Sequence, residues 1–195
     1  WMDWMDTLHD AGVLSENAVT VAYSYIGPKL TYPIYYDGTI GQAKRHLTKT
    51  AEKINEKYSD VKAYISVNKA LVTQASAAIP IVPLYFAILY KVMKAQGTHE
   101  GCIEQISRLF HEKLFVEKPV TDEQGRIRMD DWELSDEVQD KVMECWKNVT
   151  TENVTELSDI DGYWQDFYQM FGFHIDSVDY TKDVELEVAI PSLKA

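Results

Sequence analysis

The feature that most constrains this chain is an alternation between two hydrophobic periods. Residues Thr20 to Ile26 (TVAYSYI) form a β-branched and aromatic run bounded by Asn17 and by Gly27-Pro28, which reads as a buried strand with Tyr25 near its carboxyl end. Gly38-Thr39 then opens a stretch in which Ile40, Ala43, Leu47, Ala51, Ile54 and Tyr58 recur at helical spacing. Val61 to Val67 (VKAYISV) returns to strand character, and after Lys69 to Thr73 a helix is expected over the Pro80 to Lys94 region. Strand, helix, strand, helix is the order that builds a parallel sheet, so the expected class is α/β.

The flanks are helical. Trp1, Trp4, Met5 and Leu8 lie on one stripe of an acidic amphipathic helix within Trp1 to Val13, which starts abruptly and reads as a segment of something longer. Glu100 to Leu114 is a further amphipathic helix. Phe115 to Met129 carries turn signals at Asp122 to Gly125 between short extended pieces and predicts a small hairpin. Helices are expected at Ser135 to Lys147 and Thr151 to Phe171, then a polar, extended stretch from Asp179 to Ala195. No repeat, low-complexity linker or domain boundary interrupts the 195 residues.

Composition removes several classes of function. A net charge of -12 argues against a nucleic-acid partner, which needs clustered Lys and Arg to displace counterions from phosphate. The most apolar run, Ala77 to Tyr90, is interrupted by Pro80 and Pro83 and falls short of the ~20 residues of a membrane span. It reads as a buried helix or as the wall of an apolar pocket. Cys102 and Cys145 suit neither a disulfide framework nor a zinc site, and fit a reducing cytoplasm. His9, His46, His99, His111 and His174 lack metal-ligand spacing and are expected at the surface or satisfied in the core. The carboxylates Asp130, Asp131, Glu133, Asp136 and Glu137 read as a solvated face or a helix start.

The densest polar-aromatic cluster is Tyr23, Tyr25, Tyr32, Tyr35 and Tyr36, with Lys44 following. A tyrosine can bond a substrate carbonyl and give it a proton where a cation lowers a phenol pKa normally near 10. Ligands of open α/β sheets bind beyond the carboxyl ends of strands, which is where this cluster falls. From composition and spacing alone, tyrosines that merely pack in the core or at the surface are the commoner case.

The run AYSYIGPKLTYPIYYDGTIGQAKRHL, Ala22 to Leu47, resembles the active-site segment of the trans-2-enoyl-CoA reductases and V-type enoyl-acyl-carrier-protein reductases, whose Tyr-x8-Lys signature is matched by Tyr35 and Lys44. KALVTQASAAIPIVPLY (Lys69 to Tyr85), THEGCIEQ (Thr98 to Gln105), GRIRMDDWEL (Gly125 to Leu134) and FGFHIDSVDYTKDV (Phe171 to Val184) extend the resemblance over nearly the whole chain.

The resemblance implies a Rossmann-like, short-chain dehydrogenase/reductase-type fold, of which residues 1–195 would be the carboxy-terminal catalytic and substrate-binding part. The family's amino-terminal, Gly-rich cofactor-binding half would lie outside it. It further implies NADH as hydride source and an enoyl-CoA or enoyl-acyl-carrier-protein substrate in fatty-acid biosynthesis. Tyr35 would be proton donor, Lys44 catalytic and bound to the nicotinamide ribose, Tyr25 a contact to the substrate carbonyl, and Leu71, Val72 and Thr73 a cofactor-contacting segment. The acyl chain would run along the Ala77 to Tyr90 region with Met93. The expected state is a monomer or weak dimer without a membrane span or a metal. Two other readings stay open: a carbonyl reductase of the same superfamily, and a non-catalytic acyl-thioester-binding module.

Overall fold

The computed structural model describes residues 1–187. Three parallel strands, β1 (Ala18–Ser24), β2 (Val61–Val67) and β3 (Arg126–Arg128), form a sheet in the order β1-β2-β3. Ala18 is in register with Val61 and Ser24 with Val67, while Ile65 to Val67 pair with Arg126 to Arg128. The α/β class with a parallel sheet is therefore the one observed.

α2 (Thr39–Lys57) is the crossover from β1 to β2 and packs on β2. Ala51, Ile54 and Tyr58 from this face join Val61, Ala63, Ile65 and Val67 in one core, together with Met5 of α1 (Met2–Asp10). Asn55 fastens the layer by a side-chain route. Its Nδ2 donates to the Ala63 carbonyl at 2.9 Å and its Oδ1 accepts from the Ala63 amide at 2.8 Å, satisfying backbone groups that a neighbouring strand would otherwise take. Trp4, expected on the buried stripe of α1, is 70% exposed.

α3 (Val82–Gln96) is enclosed nearly all round, which is why its sequence lacks a polar face. It packs against α5 (Asp136–Asn148) and α7 (Ile160–Gln169) in a second core. Pro83 sits in its first turn, where a missing amide hydrogen costs nothing, and Gly97 ends it with φ 70°.

Several expectations need correction. β1 begins and ends two residues earlier than predicted, and it is largely half-exposed instead of buried. The helix expected over Glu100 to Leu114 is α4 (Cys102–Arg108) followed by a π-helical turn, Leu109–Leu114. Thr151 to Phe171 is divided into α6 (Val154–Leu157) and α7, because Asp159 leaves the helix to donate its amide to the Ala87 carbonyl and then caps α7 through Gly162 N. The predicted hairpin is absent among the described residues: β3 takes β2 as its partner, and the Asp122 to Gly125 turn only prepares its entry. Of the predicted extended tail, residues 188–195 lie outside the described residues.

Candidate active site

β1 stops at Ser24, and the next residues cross the carboxyl end of the sheet. Gly27 turns the chain with φ 77°, a conformation suited to a residue without Cβ. Tyr25 is thereby held edge-on to Tyr35, ring centroids 5.3 Å apart at 72°, and edge-on to Phe86 of α3 at 5.9 Å. Tyr35 is fixed from both sides by backbone: its amide donates to Thr31 O, and its carbonyl accepts from Gly41 N in the first turn of α2. Lys44 follows on the same helix.

Tyr25, Tyr35, Lys44, Lys69, Leu71, Thr73 and Phe86 help line one cavity of about 320 Å³. Lys44 also borders a second cavity, of about 260 Å³, on the α2 side, where Arg45, Lys49 and Arg126 add positive charge beside Glu52. The chemistry expected from sequence concentrates in the first cavity, between two aromatic rings and the strand ends.

The two phenols differ in how their hydroxyls are used. Tyr35 Oη bonds no other group among the described residues, and its ring is buried, so desolvation pushes its pKa up. Burial likewise pushes the Lys44 ammonium down, and Lys44 has no ion pair among the described residues. Each shift arises from burial and not from attraction between the two groups, so at neutral pH Tyr35 is a neutral phenol with a proton to give. Tyr25 Oη, by contrast, donates to Glu133 Oε1 at 3.0 Å.

The other predicted residues divide. Leu71 and Thr73 line the cavity, whereas Val72 is turned into the α3 core. The Thr73 amide is held by Ser76 Oγ at 2.9 Å. The Leu71 amide and carbonyl bond nothing among the described residues, leaving a backbone donor and acceptor beside the cavity. From the apolar run Phe86 reaches the cavity, while Met93 is fully buried in the core. Tyr23 is half-exposed at its rim.

Three buried charges were not anticipated. Lys69 is 1% exposed, donates to the carbonyls of Ala70 and Glu100, and lies 4.8 Å from the Tyr90 ring centroid; desolvation brings its pKa down to about 8. Glu133 and Asp130, expected on a solvated face, are completely enclosed. Asp130 pairs with Arg128, and Glu133 with the Tyr25 and Tyr85 hydroxyls and the Ala70 amide. The local signals were a lysine inside VNKALV and a carboxylate between Trp132 and Leu134, in each case an ionic residue amid apolar neighbours.

The profile of the trans-2-enoyl-CoA reductase catalytic region matches residues 1–115. The chain belongs to the trans-2-enoyl-CoA reductase family. A second profile, described as the enoyl reductase FAD binding domain, matches residues 121–184. This family member is 57% identical, over 99% of its own length and 50% of the relative's, to an enoyl-(acyl-carrier-protein) reductase (NADH) of Cytophaga hutchinsonii. It is 53% identical, over 98% of its length and 36% of the relative's, to a trans-2-enoyl-CoA reductase of Euglena gracilis. A Treponema denticola trans-2-enoyl-CoA reductase solved in complex with NAD superposes with a TM-score of 0.91 at 48% identity, covering 94% of this chain and 47% of that one. This reductase-family chain thus spans half the length of the Cytophaga relative, and its α/β fold is shared with an experimentally solved member.

Proposed function

We propose that this chain is the carboxy-terminal, catalytic and thioester-binding part of a reductase that uses NADH to reduce the carbon-carbon double bond of trans-2-enoyl thioesters in fatty-acid biosynthesis. The carrier is coenzyme A or acyl carrier protein. The observation that supports it most is the single cavity bordered by Tyr25, Tyr35, Lys44, Leu71 and Thr73.

The donor set fits a nicotinamide nucleotide. Lys44 offers an ammonium with no ion pair among the described residues for ribose hydroxyls, and Leu71 offers a backbone donor and acceptor for a carboxamide. When bound, NADH supplies the hydride that reaches the β carbon of the enoyl thioester. Negative charge then develops on the thioester oxygen, where Tyr35 stabilises it and gives up its unspent proton. Tyr25 meets the carbonyl from the other side, and the Phe86 ring closes the wall against water.

A flavin is a different matter. A cavity built wholly from the second matched segment is lined by Asp161, Trp164, Gln165, His174 and Asp176. Two carboxylates without a Lys or Arg among them do not suit a pyrophosphate, so these residues do not fit FAD and no step involves it. No helix among the described residues is long and apolar enough to cross a membrane; we further propose that the protein works in the cytoplasm, as a monomer or weak dimer.

Oxidation of NADH by the full-length protein, with crotonyl-CoA and acetoacetyl-CoA compared, tests the reading. Crotonyl-CoA turnover is expected, falling by about a hundredfold or more in Tyr35→Phe and in Lys44→Ala. Full activity in Tyr35→Phe would remove that residue as proton donor. Turnover of acetoacetyl-CoA alone would make the protein a carbonyl reductase.

A further inference from the structure

Glu133 lies fully enclosed behind the wall of the cavity, and none of the roles above uses it. Its Oε1 accepts from Tyr25 Oη at 3.0 Å and from Tyr85 Oη at 2.7 Å, and its Oε2 accepts from Ala70 N at 2.6 Å. Gln139 Nε2 locks the arrangement, donating to the Glu133 carbonyl at 2.7 Å and to Tyr85 Oη at 3.2 Å. One carboxyl thus holds the second tyrosine of the site and the residue from which Leu71 to Thr73 departs.

A phenol has one proton. While Tyr25 donates it to Glu133, the hydroxyl offers the cavity lone pairs only, and lone pairs repel a thioester carbonyl oxygen. With a proton on Glu133 Oε1 the same bond reverses. The carboxyl then donates to Tyr25 Oη, and the phenol proton is free to point into the cavity. No covalent bond to the substrate is involved; the extra proton comes from solvent and stays on the carboxyl.

We propose that Glu133 is a positioning residue acting through Tyr25: its carboxyl sets the direction of the Tyr25 hydroxyl proton, and so decides whether that phenol can donate to a thioester carbonyl. The inference rests on the reading of the site as an enoyl thioester reductase. The surroundings of Glu133 make it easier to protonate than a free carboxyl. Burial raises its pKa and outweighs the Ala70 amide, the Tyr85 hydroxyl and the Lys69 charge, all of which favour the carboxylate, while Asp130 adds to the rise. The cations near this loop are committed elsewhere: Arg128 to Asp130 and Asp122, Arg108 to Glu100 and Asp131, and Lys113 to Asp131.

The test is steady-state turnover of crotonyl-CoA with NADH by the full-length protein, as a function of pH. It compares wild type, Tyr25→Phe, Glu133→Leu, Glu133→Gln and the Tyr25→Phe/Glu133→Leu double variant. Glu133→Leu is expected to lower kcat/KM by about tenfold or more, chiefly through the thioester KM, and to add little in the Tyr25→Phe background. Glu133→Gln, whose amide donates permanently to Tyr25 Oη while its oxygen accepts from Ala70, is expected to recover most of that loss. It should also lack the decline in kcat/KM with rising pH that wild type shows as Glu133 ionises.

Additive losses in the double variant overturn the proposal, because they mean that Glu133 does not act through Tyr25. Should Glu133→Leu not fold, the glutamine variant decides: a pH profile identical to wild type overturns the proposal, and a missing step supports it. A wild type inert toward crotonyl-CoA and NADH removes the parent reading and this inference with it. A wild type that turns over, with additive losses, removes the inference alone.

Discussion

Arg108 and Glu100 meet through two parallel bonds, Nε to Oε1 at 2.6 Å and Nη2 to Oε2 at 2.8 Å, with both side chains almost fully enclosed. The guanidinium also reaches Asp131 and the Met129 carbonyl and stacks 4.1 Å from the Trp132 ring centroid. It therefore ties α4 to the loop after β3 that carries Glu133.

Removing one member of such a pair leaves an uncompensated charge in the interior. Arg108→Met is expected to cost about 3–5 kcal/mol, because Glu100 would be left enclosed without its partner. Combining it with Glu100→Leu should return part of that loss. Urea unfolding of the three variants measures it, and a double variant no better than Arg108→Met would refute the argument.

Gly41 offers a test of how α2 is set under the site. A Cβ there would collide with the Tyr36 carbonyl and lie 2.8 Å from Tyr36 Cα, backbone that cannot swing aside. Gly41→Ala should therefore destabilise the protein by roughly 1–3 kcal/mol, as overpacking does. It should also displace Tyr35, whose carbonyl accepts from Gly41 N, relative to Lys44. Activity should fall at temperatures where circular dichroism still reports a folded protein; unchanged kinetics would show that the clash is absorbed elsewhere.

His99 predicts a pH dependence of stability. Burial first, and then Lys69 and Lys94, bring its pKa from 6.5 down to about 4, and its Nδ1 has no partner among the described residues. Below pH 6.5 the unfolded chain takes up a proton that the folded chain refuses until about pH 4, so stability falls as the pH drops through this window and levels off beneath it. His99→Phe, which keeps a ring against Tyr90, should flatten that part of the curve. Denaturant midpoints at stepped pH give the comparison, and parallel curves for the two proteins would exclude His99 as the cause.

What could be read from sequence followed contact distance along the chain. Tyr25, Tyr35 and Lys44 stand within one strand-to-helix passage, so their convergence was legible from spacing and resemblance. Lys69 and Glu133 were not, because the bond joining Ala70 to Glu133 spans 63 residues, and a carboxylate run has no local mark that distinguishes a solvated face from a buried anchor. The missing hairpin has the same origin: Arg126 to Arg128 look like half of a local pair, yet their partner is Ile65 to Val67. Helical stretches were found but not their interruption at Asp159, which depends on the Ala87 carbonyl of a different helix.

The wholly parallel register has a consequence for the order in which this chain gains structure. No two of the described strands can be closed by a tight turn: Ala18 must await Val61, and Ile65 must await Arg126. Helices α2 and α3 need only local bonds and can form early, whereas the sheet must absorb the loop-closure entropy of each crossover first. Tyr25 and Glu133 therefore meet late, and during synthesis the strand that precedes Tyr35 leaves the ribosome well before any described strand that pairs with it.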